Sequence, residues 1–260
     1  MIPPKQSILG VGVSATSYEQ LTDICGEWVR QHRAGGANGR ARYVTVTDAH
    51  GIVKGFFNKP FREVLNNSDL TTPDGMPVVW AMRSFGVAGQ TRVYGPDLML
   101  SLCRRAATEG HRVFLYGARP ETLETLSARL INMFPGLTIC GTLSPPFRAL
   151  TPEEDETHVR QILDSRADIV FVGLGTPKQE KWMLAHRDRL PGLVLFSVGA
   201  AFDFHAGRVE QAPMWMQRNG LEWFFRLTRE PGRLWKRYLM VTTLFPPLWA
   251  MQKLRILRFQ

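Results

Sequence analysis

Three segments of this chain place polar side chains where an apolar run gives way to a turn, the position at which open α/β sheets bind ligands. The first is Thr45-Val-Thr47-Asp48, followed later by Thr71-Thr-Pro-Asp74-Gly75. Asp74, between a proline and a glycine, sits on a turn that can present a carboxylate at a sheet edge, where it could exchange a proton. A plain Pro-Asp-Gly turn explains the same residues, and turn composition alone favours that simpler reading. The second segment is Gly173-Leu-Gly175-Thr-Pro177-Lys178-Gln179-Glu180. Gly-x-Gly between a strand and a helix start leaves backbone N–H groups for a phosphate, and Lys178 and Gln179 add donors. A tight turn before a solvated helix start is the alternative. The third runs from Ser197 to Asp203. An acid just past a strand end suits a ribose hydroxyl, and equally a helix cap. Arg92, ahead of Val-Tyr-Gly-Pro-Asp97, reads as a phosphate ligand or as a surface charge.

The motifs that are missing narrow the chemistry. Gly10-Val-Gly12 has no third glycine and lies too near the start for a dinucleotide fingerprint, and there is no Walker A sequence. No two aspartates lie two residues apart, so the Asp-x-Asp of many metal-dependent nucleotide-sugar enzymes is missing, and the six histidines do not cluster at ligand spacing. No metal and no resident cofactor is expected.

The elements that would position these residues are short apolar, β-branched runs ending in turns: 42–47, 112–117, 168–175 and 193–199. Helical patterns lie between them, opened by Pro96-Asp97, Pro120-Glu121, Thr151-Pro152-Glu-Glu and Pro177-Lys178. Strands alternating with helices predict an α/β, Rossmann-like domain with a mostly parallel sheet flanked by helices. The alternation stops near His205, so the expected division is a core of residues 1–207 and a C-terminal helical appendage of residues 208–260.

That appendage is basic and aromatic. From Pro213 onward there are nine Lys or Arg against only Glu222 and Glu230, with Trp215, Trp223, Trp235 and Trp249 among them. The chain carries a net charge of +9, so an anionic partner is expected. The apolar tract Tyr238–Met251 is interrupted by Pro246-Pro247 and is shorter than the roughly 20 residues a spanning helix needs. It suits a segment lying on a membrane better than one crossing it. No secretory signal opens the sequence, and three cysteines without CxxC spacing suit buried positions in a reducing compartment.

Five ordered blocks resemble the WecG/TagA/CpsF family of bacterial glycosyltransferases. They are Pro73-Asp74-Gly75; Arg92 to Asp97; Val172 to Glu180; Val198 to Asp203 with Ala206-Gly207; and Leu221 to Arg226 with Glu230 to Arg233. The resemblance covers about Thr45 to Lys236 and implies an inverting transfer from a UDP-sugar donor to a polyprenyl-diphosphate-linked acceptor, at the cytoplasmic face of the inner membrane. The sugar implied is N-acetylmannosamine, its uronic acid or glucose. By the same resemblance Asp74 is the catalytic base and Thr45 lines the pocket. Thr47 stands where the family has asparagine, Gln179 lines the pocket, and Asp203 is a nucleotide-side acid. Arg226 and Arg233 are appendage arginines that close over the site, and the next basic position falls at Lys236, or Arg237, where the family prefers arginine. Arg92, Gly173, Gly175 and Lys178 complete the expected substrate contacts. The rival readings are a Rossmann-type oxidoreductase, weakened by the missing glycine fingerprint, and a basic α/β protein that binds membrane or nucleic acid. The Leu and Trp runs of the tail favour lipid over nucleic acid. Self-association is left open.

Overall fold

The computed structural model describes residues 1–35 and 39–259. In chain order the elements are β1 (Lys5–Ile8), β2 (Val11–Ser14), α1 (Tyr18–Arg33), β3 (Arg42–Thr47), α2 (Ala49–Phe57), α3 (Lys59–Asn66), β4 (Leu70–Pro73), α4 (Met76–Ser84), α5 (Gly95–Glu109) and β5 (Arg112–Gly117). They continue with α6 (Pro120–Met133), β6 (Thr138–Leu143), α7 (Pro152–Asp164), β7 (Ile169–Gly173), α8 (Lys178–His186), β8 (Val194–Ser197), α9 (Ala201–His205), α10 (Met214–Arg218), α11 (Glu222–Arg229) and α12 (Pro231–Lys253). Six strands form one sheet in the order β4-β3-β8-β7-β5-β6, and the β3–β8, β8–β7, β7–β5 and β5–β6 pairings are all parallel. The Rossmann-like architecture expected from the sequence is the one observed.

The chain falls into two compact units. One comprises Met1, Tyr18–Thr45 and Gly95–Val209; the other comprises Ile2–Ser17, Val46–Tyr94 and Glu210–Gln260. The boundary expected after residue 207 lies close to the Val209–Glu210 crossover, and the unit that holds the tail also takes in 2–17 and 46–94.

In the first unit the central strands β7 and β8 are buried along almost their whole length, because helices cover both faces. Their runs Ile-Val-Phe-Val and Val-Leu-Phe are therefore continuously apolar rather than alternating. α7 starts on a full capping box: the Thr151 side chain accepts from the Glu154 N–H, and Glu154 returns to the Thr151 N–H. Gly117 approaches the Gly173 backbone so closely that an added Cβ would sit 2.6 Å from the Gly173 carbonyl. Cys25 and Cys103 are buried fillers, and Cys140 is half-buried.

In the second unit β1 and β2 form an antiparallel hairpin turning at Leu9 and Gly10, both with positive φ. The C-terminal helix corrects one expectation. α12 runs straight through Pro246-Pro247 instead of breaking there. A proline inside a helix costs about 3 kcal/mol, and the anchoring on both sides offsets it. Leu234, Tyr238 and Phe245 are buried. The Trp249 indole donates to Ser84 Oγ at 2.9 Å, and Gln252 accepts from the Leu9 N–H and donates to the Ser7 carbonyl. Trp235 and Leu239, on the same helix, are exposed, as are Met214, Trp215 and Phe224 before it. Among the described residues no helix is long and apolar enough to cross a membrane.

Candidate active site

The carboxyl ends of β3 and β4 set the position of Asp74. Its N–H donates to the Thr47 carbonyl at 3.0 Å, and the Val93 N–H donates to the Pro73 carbonyl at 3.0 Å. Gly75 follows at φ +90°, a conformation that L side chains rarely adopt, and opens α4. The Pro-Asp-Gly turn is thus a sharp strand-to-helix corner that holds the aspartate backbone on both sides. The Asp74 side chain is 21% exposed, and Arg92 reaches Oδ1 with Nε at 3.4 Å and Nη2 at 3.2 Å. Both contacts fall on Oδ1; among the described residues no donor reaches Oδ2.

Arg92 is shared. Its Nη2 lies 2.6 Å from Glu222 Oε2, the Tyr94 hydroxyl donates to Glu222 Oε1 at 3.0 Å, and the guanidinium rests 3.9 Å over the Tyr94 ring. One arginine therefore serves two carboxylates. Burial pushes the Asp74 carboxyl up; the charges of Glu222 and Asp48 push it further, Arg92 opposes them, and the balance is a pKa of about 6. Such a group is ionised at neutral pH yet basic enough to accept a proton.

Asp48 next door behaves oppositely. It caps α2 by accepting the Gly51 N–H at 2.9 Å and pairs with Arg237 of α12. Burial alone would raise its carboxyl, but Arg237, His50 and the Gly51 N–H hold it down to about 2. Around these groups Thr47 Oγ1, Thr72 Oγ1 and His50 Nδ1 are buried and have no hydrogen-bond partner among the described residues. Buried polar atoms are usually paired, so this corner of the second unit holds unused hydrogen-bonding capacity beside a tuned carboxylate.

The first unit carries the other set of expected residues. Gln179 is buried; its Oε1 accepts the Gly175 N–H at 3.1 Å, and its Nε2 donates to Glu180 Oε1 at 3.0 Å. The Gly175 N–H, read from the sequence as open to a phosphate, is therefore engaged by Gln179. An added Cβ on Gly199 would lie 3.6 Å from the Gln179 amide, so the loops after β7 and β8 meet there. Gly173 packs against the Phe202 ring, which leaves no room for a side chain. Lys178 is exposed on the first turn of α8, and Asp203 is half-buried on α9, its carbonyl accepting from the Arg208 and Val209 N–H groups. Thr45 is fully buried near the end of β3.

The structure thus joins Asp74 directly to Arg92 and holds Thr47 at the same strand ends. Arg226 lies on α11, where its charge is felt by the Tyr238 hydroxyl. Arg233 is exposed and tied to Glu230 at 2.6 Å, and Lys236 is exposed with its ammonium 5.5 Å over the Trp235 ring. The basic residue of α12 that turns inward is Arg237. Sequence reasoning gave no role to Glu222, Tyr94 or Asp48. A signal for Glu222 did exist: from Pro213 onward it is one of only two acids against nine Lys or Arg. Among the described residues no group of three or more His, Cys, Asp or Glu side chains is gathered as a metal site.

A Rossmann-like sheet with a buried carboxylate of raised pKa at its strand ends, beside a guanidinium, is compatible with a group-transfer enzyme. Residues 6–258 match the Glycosyl transferase WecG/TagA/CpsF family, and the chain belongs to that family: it is a glycosyltransferase. It is similar to the N-acetylglucosaminyldiphosphoundecaprenol N-acetyl-beta-D-mannosaminyltransferase of Bacillus subtilis, with 35% identity over 185 residues, 71% of this chain and 70% of the relative. The protein of the same name from Bacillus spizizenii is 34% identical over 184 residues, 71% of this chain and 69% of that one.

Proposed function

We propose that this glycosyltransferase moves an N-acetylmannosamine-type sugar from a UDP-sugar to an undecaprenyl-diphosphate-linked N-acetylglucosamine, with inversion and without a metal ion, in the assembly of a cell-surface polymer. The observation that carries the mechanism is Asp74 itself: a carboxylate with a pKa of about 6, held by Arg92 through one oxygen only. The relatives' names support the choice of acceptor and sugar.

In this reading Asp74 Oδ2 takes the proton of the acceptor hydroxyl as that oxygen bonds to the anomeric carbon. The bond from that carbon to the UDP oxygen breaks on the opposite side, and the electron pair leaves with UDP. Guanidinium groups meet the diphosphate charge, since a planar fork pairs well with phosphate oxygens; Arg226 and Arg233 are the proposed ones, and of the two alternatives Lys236 and Arg237 the proposal takes Arg237. Thr45, Thr47, Gln179, Lys178 and Asp203 are carried as proposed substrate contacts. The exposed Trp215, Phe224, Trp235 and Leu239, set among basic residues, suit a lipid interface, which supports a peripheral location at the cytoplasmic face of the inner membrane.

The test is UDP release with UDP-N-acetylmannosamine, its uronic acid analogue and UDP-glucose, each against a synthetic polyprenyl-diphosphate N-acetylglucosamine, in excess EDTA. Release with the first donor alone, unaffected by EDTA, is expected. Preference for another donor would overturn the sugar assignment, and activity lost to EDTA and restored by Mg²⁺ would overturn metal independence.

A further inference from the structure

Among the described residues Glu222 is the one carboxylate of the tail that touches Arg92, the partner of the proposed base, and the proposed transfer gives it no task. We propose that Glu222 is a positioning residue: it holds the Arg92 guanidinium at one edge of Asp74 and so keeps Oδ2 clear for the acceptor hydroxyl. The inference rests on Asp74 being the base.

The distances carry the argument. Arg92 lies 2.6 Å from Glu222 but only 3.2–3.4 Å from Asp74. The arginine is committed to Glu222 and lies at the edge of hydrogen-bond range from the base. Tyr94 fixes the other Glu222 oxygen through its hydroxyl and supports the guanidinium from below with its ring. Arg92 and Glu222 are 15% and 13% exposed, so little water competes for them. A guanidinium released from Glu222 would find the Asp74 carboxylate as its nearest anion. A two-pronged Arg–carboxylate pair is the favoured geometry for such a couple. That fork would occupy both Asp74 oxygens and make the carboxylate a weaker base. Glu222 prevents this, and its own negative charge acts in the same direction.

The charged and titratable groups coupled to Asp74 are Asp48 ahead of α2, Arg92 and the neutral Tyr94 ahead of α5, Glu222 on α11 and Arg237 on α12. Two of them belong to the tail. Through Glu222 and Arg237 the tail grips the strand-end corner with ion pairs of opposite polarity, Glu222 on Arg92 and Arg237 on Asp48. Detaching α11 would therefore change the base.

The test is the pH dependence of kcat and kcat/KM for the full chain, with UDP-N-acetylmannosamine and the lipid-linked acceptor, in four variants. Glu222→Gln is expected to move the acid limb down by about one pH unit and to lower kcat roughly tenfold or more, with the donor KM little changed. Glu222→Asp keeps the charge and a partner for Arg92, so it should return part of the way to the parent and serves if the Gln variant folds poorly. Glu210→Gln removes an exposed tail acid paired with Arg229 and should follow the parent curve. An acid limb unmoved in Glu222→Gln, with the loss confined to KM or thermal stability, would overturn the proposal. Asp74→Asn separates the two readings: if it keeps parental turnover, the base assignment fails; if it is inactive while the Glu222 limb stays put, only the positioning role fails.

Discussion

Replacing Asp74 with asparagine should make the protein more stable while removing its activity. The Asp74 carboxyl has its pKa raised from 3.8 to about 6 on folding, with burial the largest cause. A carboxyl whose pKa is higher in the folded state favours folding while it is protonated. That contribution is fully present below about pH 3.8 and is lost as pH rises through about 6. At neutral pH the ionised side chain therefore costs the fold roughly two pKa units, or about 3 kcal/mol. Asparagine keeps the shape without the charge. The expected gain at pH 8 is on the order of 2–3 kcal/mol, or roughly 5–10 °C in Tm for a chain of this size, shrinking toward zero at pH 4. The assay is thermal and urea unfolding of both proteins at pH 4, 6 and 8. A variant less stable than the parent at pH 8, or a difference that ignores pH, would refute the electrostatic account of the site, whatever the effect on turnover.

Other outcomes follow from the same geometry. The parent's kcat/KM should fall about tenfold per pH unit below about 6, as the base becomes protonated; a limb centred near pH 4 would assign the base elsewhere. Arg237→Gln should lower activity and destabilise by about 1 kcal/mol through loss of the partly exposed pair with Asp48, whereas Lys236→Gln should change stability by less than about 0.5 kcal/mol; equal effects in urea unfolding would contradict the inward assignment of Arg237. Gly117→Ala places a Cβ 2.6 Å from the Gly173 carbonyl at a φ of +124° and should cost roughly 3 kcal/mol or more, read as a lowered Tm.

Much of this architecture is legible in the sequence, for reasons that can be named. β5, β7 and β8 announce themselves because both faces are buried, so their apolar runs are nearly unbroken, and β3 does so through its β-branched Val-Thr-Val-Thr. Thr151, Pro120 and Pro177 mark helix starts through capping and fixed φ. β4 escapes notice because it reads Leu-Thr-Thr-Pro: its threonines are fully buried, yet they carry no apolar signal. β6 is an edge strand, half-exposed, with a glycine and a cysteine in it. α12 defeats the local rule about proline because packing of Tyr238, Phe245 and Trp249 outweighs two missing backbone donors.

The site divides in the same way. Asp74 and Arg92 can be picked out because each belongs to a short block with a turn or a helix start beside it. Their partner Glu222 lies 130 residues beyond Arg92, and no local pattern reports a contact at that separation. Which of Lys236 and Arg237 faces inward is likewise a matter of helix phase, which the fold sets and residue type does not: Leu234 and Tyr238 are buried, and Arg237 lies beside them.

Asp74 is proposed as the base of a sugar transfer to a lipid-linked acceptor. The most direct measurement is single-turnover transfer of labelled sugar from UDP-N-acetylmannosamine to polyprenyl-diphosphate N-acetylglucosamine, by the parent and by Asp74→Asn, with UDP affinity measured on both. A β-linked product is expected from the parent, and a rate lower by roughly a hundredfold or more from the variant, with UDP affinity retained. A variant that turns over at close to the parental rate would contradict the proposal.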